Sequence, residues 1–169
     1  MSVFFSLQRS DFMKFLKITG IFILSAFLIS ANSLKIYNVV LYPLNKSDMS
    51  LCEIHDTIYA SNINDLSQKI LKKLMHLQNE NEYIKIIPPD TTVSASNTAA
   101  IVNFPDNIEA VLENKTECEL FTIYSLVNSL TSAKDIITVE FTIDNKKQKE
   151  LFGFTDMRES FIPDYEICS

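Results

Sequence analysis

Apolar and polar positions alternate most regularly in "ITVEFTIDNKKQKELFGF", residues 137–154. Ile137, Val139, Phe141 and Ile143 fall on one side, and Thr138, Glu140, Thr142 and Asp144 on the other. That period of two belongs to a strand with one buried and one wet face. A basic turn with Lys146, Lys147 and Lys149 follows, and the apolar run after it predicts the return strand of a hairpin. Two earlier stretches also read as strands: "KIYNVVLYPL" (35–44), rich in β-branched and aromatic residues and stopped by Pro43, and the weaker "LCEIHDTIYA" (51–60). After them the period changes. Ile63, Leu66, Ile70, Leu74 and Leu77 recur at helical spacing, with Asn62 and Asp65 in a capping relation and Lys69, Lys72, Lys73 and His76 off the stripe.

"IIPPD" (86–90) breaks regular structure, and "TTVSAS" with "TAAIVNF" predicts a hairpin turning at Asn97 and closed by Pro105. "DNIEAVLE" can form a short helix. A longer one is expected from Thr116, where "TECE" has the T-x-x-E form of a reciprocal cap between Thr116 and Glu119. Leu120, Ile123, Val127 and Leu130 make its expected inner face, widened by Phe121 and Tyr124. The order β, β, α, β, β, short helix, α, β, β predicts a two-layer α+β domain, with a mixed or antiparallel sheet and two main helices on one face.

The N-terminus follows neither period. "ITGIFILSAFLISA" (18–31) carries no charge, is preceded by Arg9, Lys14 and Lys17, and is followed by small residues. This layout is that of a secretory signal, with a cleavage position after Ser33 and Met13 as an alternative start, or of an uncleaved membrane anchor. The expected organisation is therefore a signal peptide or anchor at 1–33, one domain at 34–162 and a tail at 163–169 of the 169 residues. Export to the periplasm or the outer face of the cytoplasmic membrane follows. Losing residues 1–33 removes three cations and one anion and moves the formal charge from −6 to −8. A net field of that sign holds neither nucleic acid nor an anionic membrane, so membrane association is expected only through the N-terminal segment.

Candidate chemistry is sparse. Gly20 and Gly153 stand alone, which leaves no phosphate-cradling loop. "CEIHD" gathers Cys52, Glu53, His55 and Asp56, but a strand would send Cys52 and His55 to opposite faces, and His76 lies on the polar side of its helix. Serines such as Ser125 and Ser129 stand in no nucleophile motif, and the carboxylates of Glu117 and Glu119 read as helix-start electrostatics. No catalytic residue, metal site or cofactor is expected. Cys52, Cys118 and Cys168 are an odd number and read as mostly free, partly buried thiols, with no pairing assigned. The basic turn reads as a solubilising tip that protects a strand edge, or else as a contact surface.

Taken in order, "NVVLYPL", "LCEIHDTIYA", "ILKKL", "IIPPDTTVSASNTAAIVNF", "FTIYSLVNSLTSAKDIITVEFTIDNKK" and "FGFTDMRESF" resemble the GerMN domain of bacterial sporulation and spore-germination proteins, over residues 36–162. Departures occur at Asp90, where the family often has glycine, at Pro105, where serine is common, and at Asn145, which replaces the glycine after Asp144. Asn tolerates positive φ, so the turn at 145 is expected to survive. The resemblance implies a ring-building-like fold and a non-enzymatic envelope module with an assembly or scaffold role. Its partners would be other envelope proteins or further copies of itself. The expected contact surface comprises Thr138, Glu140 and Thr142 with Lys146, Lys147 and Lys149. A second reading is a peptidoglycan- or glycan-binding module using Tyr37, Tyr42, Tyr59 and Tyr83, and a third is a carboxylate-dependent hydrolase.

Overall fold

The computed structural model describes residues 33–108, 115–151 and 155–168. The expected signal or anchor segment up to residue 32, most of "DNIEAVLE" and Gly153 lie outside the described residues, as do the side chains of Thr116, Glu117, Cys118 and Cys168. Leu34–Ser169 forms one compact unit.

Its first ribbon pairs β1 (Lys35–Leu41) with β2 (Ile54–Ala60) antiparallel, Ile36 opposite Tyr59 and Leu41 opposite Ile54. Val39, Leu41, Ile58 and Ala60 are buried on one face, as their alternation requires. Helix α1 (Ile63–Leu77) starts where its sequence says it should. The Asn62 side chain accepts from the Asp65 N–H (2.9 Å), and the Asp65 carboxylate accepts from the Ser61 N–H (2.8 Å). That N–H, and then Lys69, hold the Asp65 pKa below its ordinary value. Leu66, Ile70, Leu71 and Leu74 carry the helix into the core. Beyond it, the buried Gln78 side chain donates to Ile87 O (2.7 Å) and accepts from the N–H groups of Ile86 (3.2 Å) and Ile87 (2.9 Å). One amide thus satisfies the irregular "IIPP" segment, which has no strand or helix to do so.

Strands β3 (Thr92–Ser96) and β4 (Ala99–Phe104) form the expected hairpin, turning through Asn97 at φ 54°. Helix α2 (Lys115–Thr131) then leads to β5 (Thr138–Ile143), which pairs with β4 in parallel. A parallel pair needs such a crossover, since a tight turn cannot reverse the chain twice. Val93, Ala100, Val102, Phe104, Val139 and Phe141 supply the buried face of this mixed sheet, with Phe104 and Phe141 stacked at 5.5 Å.

The architecture is α+β, as expected, with two main helices among the described residues. Several details differ from the sequence reading. Among the described residues the strands divide into three small sheets, β1–β2, β3–β4–β5 and β6 (Glu150–Leu151) with β7 (Thr155–Asp156), in place of one continuous sheet. Among the described residues, the expected hairpin at 137–154 is present only as its turn. Asp144 and Asn145 both have positive φ, and Ile143 and Lys146 exchange two backbone hydrogen bonds (3.0 and 2.9 Å). This is the twist-matched two-residue hairpin turn. The chain then leaves, and Leu151 pairs with Thr155 instead of with β5. Ile137, expected inside, is 56% exposed, because β5 begins one residue later and Ile137 only anchors its N–H to Thr98 O (2.7 Å).

Helix α2 differs most. Leu120 is exposed, while Ile123, Leu126, Val127 and Leu130 are buried together with Glu119, Thr122, Ser125, Asn128, Ser129 and Thr131. Several of these side chains, with Ser132 just past the helix, serve neighbouring backbone that lacks a ladder. Ser129 Oγ accepts from Tyr42 N–H (2.9 Å), Ser132 Oγ accepts from Val40 N–H (3.0 Å), and Thr122 Oγ1 donates to Ile86 O (3.1 Å). Asn128 makes a two-way clasp with the Asp164 backbone (2.7 and 3.0 Å), and Tyr165 meets Tyr42 in a tilted ring contact at 5.8 Å. Glu119 is no cap. Its carboxylate accepts from the Thr155 N–H (2.7 Å) inside the core, where burial pushes its pKa up against that hydrogen bond.

Candidate interaction surface

The face of β3–β4–β5 turned away from the core is built from the polar half of each alternation. Register brings Ser94, Ile101 and Glu140 into one row and Thr92, Asn103 and Thr142 into the next. Thr142 Oγ1 donates to Asn103 Oδ1 (2.9 Å), which also accepts from the Asn145 N–H (2.6 Å). Glu140 is held from two sides, by Lys147 Nζ (3.1 Å) and Ser160 Oγ (3.2 Å). Glu140 and Thr142 are thereby held in place, Thr138 beside them is likewise half-buried, and Ile101, 43% exposed, is the apolar point among them. Sequence reasoning missed Ile101. "AAIV" is apolar throughout and has no period to show which side chain faces out.

The lysines of the turn do not act together as a cationic cluster. Lys146 pairs with Asp144 (3.2 Å), Lys147 with Glu140 and Lys149 with Glu150 (3.1 Å). All three are exposed, so each pair contributes at most about 1 kcal/mol, but together they cancel the local field.

The sheet edges are also occupied. Val139 and Phe161 exchange two hydrogen bonds (2.9 and 2.8 Å) across the outer side of β5. At β3, Ala95 N–H donates to Asn64 Oδ1 of α1 (2.9 Å). The α2 hydroxyls take β1. At β2, Lys69 Nζ donates to Tyr59 O (2.8 Å), and Thr57 N–H donates to Asp56, which is paired with Lys73. Charged side chains over an edge are a familiar guard against strand addition. An incoming strand would have to displace one of these partners, whereas the outer face needs no such exchange.

Beside β2 runs an open groove of ≈ 460 Å³ lined by Thr57, Ile58, Tyr59, Lys69, Lys72, Lys73 and His76. It holds the one strongly exposed tyrosine of the expected aromatic set. Tyr42 is buried, with its hydroxyl on Glu53 (3.2 Å), and Tyr37 and Tyr83 are half-buried. His55 and His76 are exposed, each about 4 Å from a carboxylate (4.0 and 3.9 Å). Cys52 is free and half-buried, and burial pushes its thiol pKa up, which lowers its thiolate fraction. Among the described residues no group of three potential ligands is placed to hold a metal, and no helix is long and apolar enough to cross a membrane.

Residues 40–149, well over half of the chain, match the profile of the Germane family, described as sporulation and spore germination. The chain belongs to the Germane family. Solved structures with the same fold include the first GerMN domain of the sporulation protein GerM from Bacillus subtilis, 20% identical, covering 76% of this chain and 98% of that one, TM-score 0.53. The tandem GerMN domains of the same protein are 19% identical at TM-score 0.55, over 76% of this chain and 46% of theirs, so this chain spans about half of that tandem. A protein from Clostridium perfringens described as a candidate lipoprotein is 18% identical, covering 78% and 89% of the two chains, TM-score 0.51. Among curated proteins, none matches significantly. The Germane match spans β1 from Val40 through β5 and the basic turn, so the three-stranded sheet and its outer face lie within it.

Proposed function

We propose that this chain is a non-enzymatic module of the cell envelope that assembles with other envelope proteins or with further copies of itself. The observation that carries the reading is the outer face of β3–β4–β5, a Ser/Thr surface with Glu140–Lys147 and Ile101 at its centre, on a body whose strand edges each have backbone groups already engaged. Such a face favours packing of one flat surface on another over strand addition. Membership of a sporulation and germination family supports an extracytoplasmic setting, and the N-terminal segment supplies export or anchorage in this reading. A ring-building role is the finer form of the same proposal.

The test is crosslinking in intact cells through photoreactive residues at Ile101 and Thr138. Glu140→Lys and Lys147→Glu singly, and both together, separate two effects. The double reversal keeps the internal pair but inverts the charge pattern. Crosslinked complexes in the native protein that weaken in the double variant support the surface. Complexes that never form, or that ignore both Ile101→Lys and the double variant, overturn it. Retention on purified cell wall through high salt, lost in Tyr59→Ala, would favour the glycan reading instead.

A further inference from the structure

We infer that the end of the body at which β1 begins docks on an anionic lipid bilayer. The inference rests on the apolar segment, taken from Phe15 to Ala31, remaining in the membrane as an anchor. Four large apolar side chains stand exposed at this end: Leu34 (60%), Ile36 (65%), Tyr59 (57%) and Ile137 (56%). Ile36 and Tyr59 are cross-strand partners where β1 starts and β2 stops. Ile137 donates its N–H to the Thr98 carbonyl, and Thr98 lines a cleft at the start of β1 with Lys35, Tyr37, Lys134 and Asp135. Lys35 and Lys134 are exposed and make no ion pair among the described residues, with Asp135 as the acidic exception.

Aliphatic side chains, a tyrosine and lysines gathered at one end are the composition that partitions into a headgroup region. The net negative charge of the protein opposes general membrane binding, but it acts over the whole surface, while the two lysines act within a Debye length of the lipid. Chain length says what covers this end. Leu34 is three residues beyond Ala31, and three residues span at most about 10 Å. An anchor ending near Ala31 therefore keeps Leu34 within reach of the interface. The tether also raises the local concentration of lipid, so a contact too weak to recruit a free protein is occupied. The opposite end of the ribbon, near His55, is held away. Four residues of strand put it roughly 13 Å from Tyr59 on the same face.

The sequence contains no tryptophan, which allows single-site fluorescence on the full-length chain. Tyr59→Trp, Ile137→Trp and His55→Trp are each reconstituted into vesicles of phosphatidylethanolamine and phosphatidylglycerol, with and without acyl-chain bromination, and floated. The expected result is co-flotation, with blue-shifted emission quenched by brominated lipid at positions 59 and 137 and water-like, unquenched emission at 55. Lys35→Glu with Lys134→Glu reduces the quenching at 59 without reducing flotation. Co-flotation with no quenching at 59 and 137, or with equal quenching at 55, overturns the docking and leaves the anchor standing. Failure to float overturns the anchor, and the docking with it.

Discussion

Single residues decide how this fold satisfies the backbone that its short strands leave unpaired. Gln78 is the clearest case, with one side chain meeting three backbone groups of the "IIPP" segment. Gln78→Ala leaves buried donors and an acceptor without partners, and a loss on the order of 3 kcal/mol is expected from urea denaturation. Gln78→Glu keeps the acceptor and should also destabilise, since it cannot donate to Ile87 O. Glu119 makes a prediction in pH. Its folded pKa is raised, chiefly by burial, so between the ordinary glutamate value and that raised value the folded state binds more protons than the unfolded one. This contribution is therefore fully present below the ordinary value and is lost as pH rises through the folded value. Glu119→Gln retains an acceptor for the Thr155 N–H and should remove that slope. Thermal denaturation from pH 4 to 8, roughly spanning the glutamate range, checks the difference.

At the scale of elements, helix α2 supports β1 through side chains where a sheet would use another strand. Ser129 of the helix and Ser132, one residue past its end, accept the N–H groups of Tyr42 and Val40, and the helix is otherwise buried through Ile123, Leu126, Val127 and Leu130. Ser129→Ala, at the fully buried contact, is expected to cost about 1–3 kcal/mol, and Ser132→Ala, half-buried, less. Hydrogen exchange gives the more specific readout. The amides of Tyr42 and Val40 should lose protection while α1 keeps its own. The same helix bears out Ile123, Val127 and Leu130 as its inner face and shows why the period alone leaves the buried polar residues unseen. A period of hydrophobic residues assumes that polar side chains face water, and here they face unpaired backbone.

For the molecule as a whole, cohesion comes from one core shared by both larger sheets and both helices. Phe141 sits in it fully buried, stacked on Phe104 and edge-on to Phe161 at 5.3 Å. Phe141→Ala should cost about 3–5 kcal/mol in a single cooperative transition, because the cavity lies under the strand that also presents Glu140. The elements and the family were legible in the sequence, since strand and helix periods, the Asn62–Asp65 cap and the turns at Asn97 and Asn145 are local devices that work within a few residues. Half of the candidate surface was legible for the same reason: alternation alone puts Thr138, Glu140 and Thr142 on one face. Ile101 at the centre of that face, the pairing of each turn lysine with a carboxylate, the closure of β5 by Phe161 and the burial of Glu119 were not. Each depends on a partner distant in the chain or on which side of an apolar run faces out. Periodicity determined what each segment is. Only the packing of segments against one another determined which edges are capped and which face of the sheet is left outward.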